Sequence, residues 1–177
     1  MQYTSWYTSP LGRLLLAADD SGLTGAWFEG QKYFARHLDA AHAERQTPHL
    51  EQAGRWLDVY FSGYEPGFPV PLHPMGTAFQ TAVWQLLCAI PYGQTRTYGQ
   101  LAAQLASQMG RAYLSAQAVG GAVGRNPISI FVPCHRVVGA TGSLTGYAGG
   151  LDRKMALLGL EKADRTALFI PKPKHTP

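Results

Sequence analysis

The sequence is poor in cysteine, with only Cys88 and Cys134. Two thiols cannot build a disulfide framework or a cysteine-rich zinc site. The histidines, at 37, 42, 49, 73, 135 and 175, stand outside any CxxC or HExxH pattern. No metal and no cofactor is therefore expected. Long apolar runs are also missing, since nothing approaches the roughly 18 residues that a membrane-spanning helix requires. Residues 1–10 lack a basic region followed by an apolar stretch, which excludes a secretory signal and makes the cytoplasm, with reduced thiols, the expected location. Charge is sparse, at 15% of residues against 46% hydrophobic, a balance that belongs to globular chains. Acidic residues are scarcest after the midpoint. Residues 76–177 hold only Asp152, Glu161 and Asp164 against ten Lys and Arg, a balance of +7, whereas residues 1–75 carry −3. A basic half joined to an acidic one points to a polyanion at the second half, although a solvated basic surface has the same composition.

What is present reads as an α/β chain in two parts. Residues 2–8, 13–18 and 23–29 are rich in β-formers and separated by the turns Ser9-Pro10-Leu11-Gly12 and Asp19-Asp20-Ser21-Gly22, which predicts an antiparallel meander. Residues 33–43 and 49–61 follow with helical spacing, and in the second of these Trp56, Leu57, Tyr60 and Phe61 share a face. Residues 62–76 carry Pro66, Pro69, Pro71 and Pro74, so they form an extended linker and set the domain boundary, with domains at 1–75 and 76–177. Beyond it Thr77 caps a helix in which Phe79, Val83, Leu86, Leu87 and Ile90 recur, and Cys88 reads as part of its core. Thr97 caps a short helix over 98–105. A loop at 107–111 and a small-residue helix over 113–123 complete a helix-turn-helix pattern. A β-rich run at 128–132, a glycine-rich loop at 139–150 and a last helix over 151–160 follow. The tail, residues 171–177, is expected to be disordered.

Cys134 is the residue with chemical promise. It sits in Pro133-Cys134-His135-Arg136, where neighbouring positive charge favours a thiolate nucleophile. A buried structural cysteine is the ordinary alternative.

The surrounding pattern is more specific. Asn126-Pro127-Ile128-Ser129-Ile130-Phe131-Val132-Pro133-Cys134-His135-Arg136-Val137-Val138-Gly139 resembles the signature of the O6-alkylguanine-DNA alkyltransferases. Ile90-Pro91-Tyr92-Gly93, Thr97-Tyr98-Gly99-Gln100-Leu101-Ala102, Gly146-Tyr147-Ala148-Gly149-Gly150 and the stretch from Lys154 to Glu161 match the same family in order. The match is strong over 77–162 and general over the first 75 residues. It implies a ribonuclease H-like N-terminal part, with a small antiparallel sheet and helices, followed by a mostly helical part with the helix-turn-helix.

The resemblance also implies a reaction: single-use transfer of an alkyl group from O6-alkylguanine, and less well from O4-alkylthymine, in duplex DNA onto Cys134. The nucleotide is flipped out from the minor-groove side. His135 is implied as the base acting through a bridging water, because adjacent side chains in extended chain point apart. Glu161 polarises His135, Asn126 braces the cysteine loop, and Tyr98 donates a proton as guanine leaves. The backbone of Cys134 and Val137 would read the base, with Tyr147, Ala148, Gly149 and Lys154 around it. Ser115, Ala116, Gln117, Ala118, Gly120 and Gly121 would lie along the minor groove, with Arg125 and Arg136 also on DNA. Such a groove suits small side chains and repair blind to sequence. A monomer on double-stranded DNA, away from membranes, is expected.

One position departs from the family. Gln117 stands where an arginine usually fills the gap left by the flipped base, the preceding loop is longer than usual, and Arg111 and Arg125 are the alternative fingers. Three rival readings remain at this level. A lesion-binding relative without chemistry would lack the acceptor, yet Cys134 is present. A helix-turn-helix regulator would need polar base-reading side chains, and the helix offers only Ser115 and Gln117. A cysteine hydrolase would need an oxyanion hole, for which no pattern is evident.

Overall fold

The computed structural model describes residues 1–172. The expected tail therefore lies, from residue 173 on, outside the described residues. The meander forms as β1 (Tyr3–Ser9), β2 (Gly12–Ala18) and β3 (Leu23–Phe28), paired antiparallel. A two-residue strand, β4 (Ala43–Glu44), adds parallel to β1 and gives the order β3-β2-β1-β4. Strand β3 is buried at every position, so both faces of the sheet are covered. On one face lies α1 (Pro48–Phe61), capped by Thr47, whose buried residues include Leu50, Leu57 and Tyr60.

Residues 33–43 cover the other face, and they do not form the expected helix. Tyr33, Ala35 and His37 adopt positive φ of 61°, 54° and 67°, which breaks any run of helical hydrogen bonds. In return Phe34 reaches Trp6 and Trp27, with ring centroids 6.2 and 6.4 Å apart, and Leu38 joins the same cluster. Covering the second face decides this segment against its local periodicity.

The free edge of β3 joins the two parts of the chain. Pro71 and His73 of the proline-rich segment pair with Leu23, and farther along Ala26 donates to the Pro127 carbonyl and accepts from Ser129 N, both at 2.9 Å. The stretch leading to Cys134 is thus seated on the N-terminal sheet. One apolar core runs through both parts, from Leu14, Leu23 and Phe28 to Val83, Leu101, Val119 and Ile128.

Thr77 and Thr97 each build a capping box, starting α2 (Ala78–Cys88) and α3 (Tyr98–Gln108). Between them β5 (Arg96–Thr97) pairs with β6 (Val137–Val138). Helix α3 continues three residues past the expected end. Helix α4 (Ala116–Gly124) begins later than expected, because Ser115 takes the cap and leaves Tyr113 exposed in the loop. The last helix, α5 (Leu151–Leu160), ends on Glu161. Cys88, the last residue of α2, is exposed and not in the core, although it follows the buried Trp84 by four residues. Among the described residues no helix is long and apolar enough to cross a membrane, and no cluster of metal-ligating side chains is found.

Candidate active site

Two tight turns shape the approach to Cys134. Phe131 N donates to the Ser129 carbonyl at 2.9 Å, with Ile130 between them at φ 74°, and Cys134 N donates to the Val132 carbonyl at 2.8 Å across Pro133. A β-branched residue with positive φ is strained, so the expected regular strand at 128–132 gives way to hydrogen-bonded turns. Asn126 holds the loop from inside. Its Oδ1 accepts from Ile128 N at 2.9 Å, and its Nδ2 donates to the Val132 carbonyl at 2.8 Å and to Cys134 Sγ at 3.2 Å.

Residues Cys134–Arg136 form one turn of 3-10 helix, not the extended chain expected from the sequence. The Val137 N–H closes this turn on the Cys134 carbonyl. Cys134 is 6% exposed and His135 is fully buried. Burial pushes the Cys134 thiol up, opposed by the Asn126 donor and by the positive charge of Lys154. His135 Nε2 meets Glu161 Oε2 at 2.5 Å, while Nδ1 is buried with no partner among the described residues. Burial holds the His135 pKa below its ordinary value despite Glu161, so the imidazole is neutral near pH 7 and able to accept a proton.

Glu161 is bonded at both oxygens. Oε1 accepts from Gly93 N at 3.0 Å and Arg136 Nε at 2.8 Å, and Oε2 accepts from Tyr60 and faces His135. Burial alone would raise its pKa, but the bonds from His135 and Arg136 hold the carboxyl well below the usual carboxylate range. Arg136, expected on DNA, is therefore corrected to an interior role. It is 8% exposed, and its Nη1 also donates to the Ile90 carbonyl at 2.8 Å. Neutralising a buried carboxylate is worth more than another surface charge.

Tyr98 and Lys154 meet at the Thr145 carbonyl, Tyr98 Oη at 2.9 Å and Lys154 Nζ at 3.1 Å. Lys154 is 1% exposed, and burial lowers its pKa to about 8. Tyr98 and Tyr147 are both raised, first by burial and then by a charge on Cys134, so each stays a phenol. Gly149 is required by close approach, because a Cβ there would stand 2.8 Å from the Tyr147 ring and 3.1 Å from Phe28.

A cavity of about 420 Å³ lies between α4 and this loop, lined by Gly120, Gly121, Arg125, Tyr147 and Ala148 together with Lys32 and Tyr33. Cys134 does not line it; Tyr147 borders the cavity and senses the cysteine's charge. Ala116, Gln117 and Ala118 are exposed at the start of α4, where Ser115 acts as the cap. The N-terminal part contributes residues that the sequence did not single out for chemistry. Lys32 N donates to the Ala148 carbonyl at 3.3 Å, and Tyr60 bonds Glu161. A tyrosine on the apolar face of a helix was the available signal, since a buried phenol needs a polar partner.

Comparison with known proteins gives a consistent result. The model of the 6-O-methylguanine DNA methyltransferase DNA binding domain matches residues 78–163, and that of the family's ribonuclease-like domain matches residues 2–74. A methylated-DNA–protein-cysteine methyltransferase of Haemophilus influenzae is 42% identical over 161 residues, 90% of this chain and 86% of the relative. One from Methanosarcina acetivorans is 45% identical over 160 residues, 90% of this chain and 97% of the relative. The crystal structure of Mycobacterium tuberculosis O6-methylguanine methyltransferase superposes with a TM-score of 0.77 at 44% identity, covering 92% of this chain and 93% of that one. The same organism's protein in complex with DNA superposes at 0.74, with 45% identity over 91% and 92%.

Proposed function

Since the chain belongs to the 6-O-methylguanine DNA methyltransferase family, it repairs methylated DNA by direct transfer to a protein cysteine, and we propose that Cys134 is the acceptor, activated through His135 and Glu161. One observation carries this reading. The buried His135 has its Nε2 on Glu161 and an unpartnered Nδ1, next in sequence to a thiol that accepts from Asn126. A buried, partnerless ring nitrogen calls for a water, and one water bridging to Sγ completes a path for the proton.

The steps then balance. The thiol proton passes through the water to Nδ1, and Glu161 stabilises the imidazolium. Sulfur attacks the alkyl carbon in line, the S–C bond forms, and the C–O6 bond breaks. Guanine leaves with the electron pair and takes a proton from Tyr98, whose phenol regains one from the imidazolium or from solvent. The thioether has no exit, so each molecule reacts once. The target atom lies inside the duplex, so the nucleotide must be flipped out.

The small residues of α4, from Ala116 to Gly121, suit a minor groove read with little sequence preference, and Ser115 fixes the helix start beside it. In this reading Tyr147, Ala148 and Gly149 wall the base, Val137 flanks it, and Lys154 holds the pocket loop through Thr145. Arg125 and Lys32 are the basic residues at the cavity. O4-alkylthymine is a poorer substrate, the working form is a monomer, and the location is cytoplasmic. Residues 76–177 bind DNA and carry the acceptor, and residues 1–75 support them.

Intact mass after incubation with a duplex containing O6-methylguanine tests the assignment. A gain of one methylene unit, mapped to Cys134 and absent from Cys134→Ala, is expected, with DNA binding retained in that variant. Methylation of Cys88, or transfer by Cys134→Ala, overturns it.

A further inference from the structure

The carboxylate at the centre of the relay is held partly from the N-terminal half of the chain. Tyr60 lies in α1, and its Oη donates to Glu161 Oε2 at 2.6 Å. That same oxygen meets His135 Nε2 at 2.5 Å, and the phenol oxygen stands 3.5 Å from Nε2. The ring cannot swing away. It is fully buried, stacked on Trp56 with centroids 5.3 Å apart at 8°, and met edge-on by Tyr92 at 6.2 Å.

We propose that Tyr60 is a positioning residue of the proton relay: its phenol clamps Glu161 Oε2 and sets how strongly that carboxylate draws a proton onto His135. The inference rests on the relay reading above. The physical argument is one of sharing. A carboxylate oxygen that accepts from two donors gives less of its charge to each, and removing one donor leaves more for the other. Without the phenol, Glu161 stabilises the imidazolium better, and His135 holds its proton to higher pH. Burial beside Glu161 keeps Tyr60 protonated, so it remains a donor across the working range.

Other groups face the pair. Arg136 and Cys134 come from the same turn, Lys154 from α5, Tyr92 from the segment after α2, and Tyr147 from the pocket loop. Replacing Tyr60 by phenylalanine leaves all of them in place and alters no formal charge. It also leaves Glu161 the bonds to Gly93, His135 and Arg136.

The test uses the full chain and the pH dependence of single-turnover transfer from duplex O6-methylguanine. Neutral imidazole is the working form, so the rate falls as pH drops through the His135 pKa. In Tyr60→Phe this acid limb should move up by about one unit, the size of one charge-assisted hydrogen bond, while affinity for undamaged duplex is unchanged. Replacing Tyr60 by 3-fluorotyrosine strengthens the donor at nearly constant volume and should move the limb down. Profiles that superpose after scaling would mean that Tyr60 only packs, and would overturn the proposal. If Tyr60→Phe does not fold, the fluorotyrosine protein decides alone, and an unmoved limb is the negative result. His135→Ala separates the two ideas: an acid limb that survives there refutes the relay itself and not merely the part given to Tyr60.

Discussion

At the scale of the residue, the acceptor is a poor acid in a closed place, and its neighbours compensate. Burial opposes ionisation of Cys134, and the Asn126 amide and the Lys154 ammonium offset part of that cost. In the relay we propose, the thiolate forms as its proton moves to His135, and His135 and Glu161 act as one device. Single-turnover rates should reveal this. His135→Ala and Glu161→Ala are each expected to slow transfer by several orders of magnitude near neutral pH, with the double variant little worse, because residues that act as a unit are not additive. Losses that multiply would mean two independent roles. Arg136 adds a lesson about reading motifs. In sequence a basic residue beside the nucleophile points to DNA, but in the fold it is the counter-ion of a buried carboxylate 25 residues away.

At the scale of the element, α4 carries the test of base extrusion. Gln117 is exposed on its first turn, where the family usually has arginine. Glutamine can bond an orphaned base but brings no charge and a smaller stacking plane. Gln117→Arg should speed transfer from duplex, and Gln117→Ala should slow it. Reaction with free O6-benzylguanine, which needs no flipping, should stay unchanged in both. An equal effect on the two substrates would make Gln117 a support of the pocket. No effect on either would pass the role to Arg125 or Arg111.

Elements also show what a sequence discloses. The starts of α2 and α3 were legible because a capping box is complete within four residues. The segment 33–43 was not, because its shape answers to Trp6 and Trp27 on a sheet it must cover. Nor was 128–132, whose apolar residues suit a strand while Ile130 is held at φ 74°. That Cys134, His135 and Glu161 belong to one cluster was signalled by a motif, and the fold brings His135 against Glu161. Tyr60 was not, because it stands 101 positions before Glu161 and nothing local marks their meeting.

At the scale of the whole molecule, charge is divided between the halves, +7 against −3, and one core joins them. Binding to DNA should be electrostatic and nearly indifferent to sequence. The logarithm of affinity should fall linearly with that of salt concentration, by about 0.9 per phosphate contact, with random duplexes within a few-fold of one another. Arg125→Ala should reduce the slope by about one contact. A strong preference for one sequence would contradict this.

The interior around the acceptor is sealed: His135, Glu161, Lys154 and Tyr60 are each at most 3% exposed. An enzyme that turns over has to reopen such a chamber to discharge its product, and lid motion then often limits its rate. Here the alkyl group is never discharged. The restored base leaves with the DNA, and the sulfur keeps the rest. The walls that hold the sulfur thus need no opening to release the alkyl group, and can be as rigid as their tight turns and buried ion pair make them. The number of lesions cleared is then set by how many copies of the chain the cell supplies, and a faster site would shorten only the wait for each one.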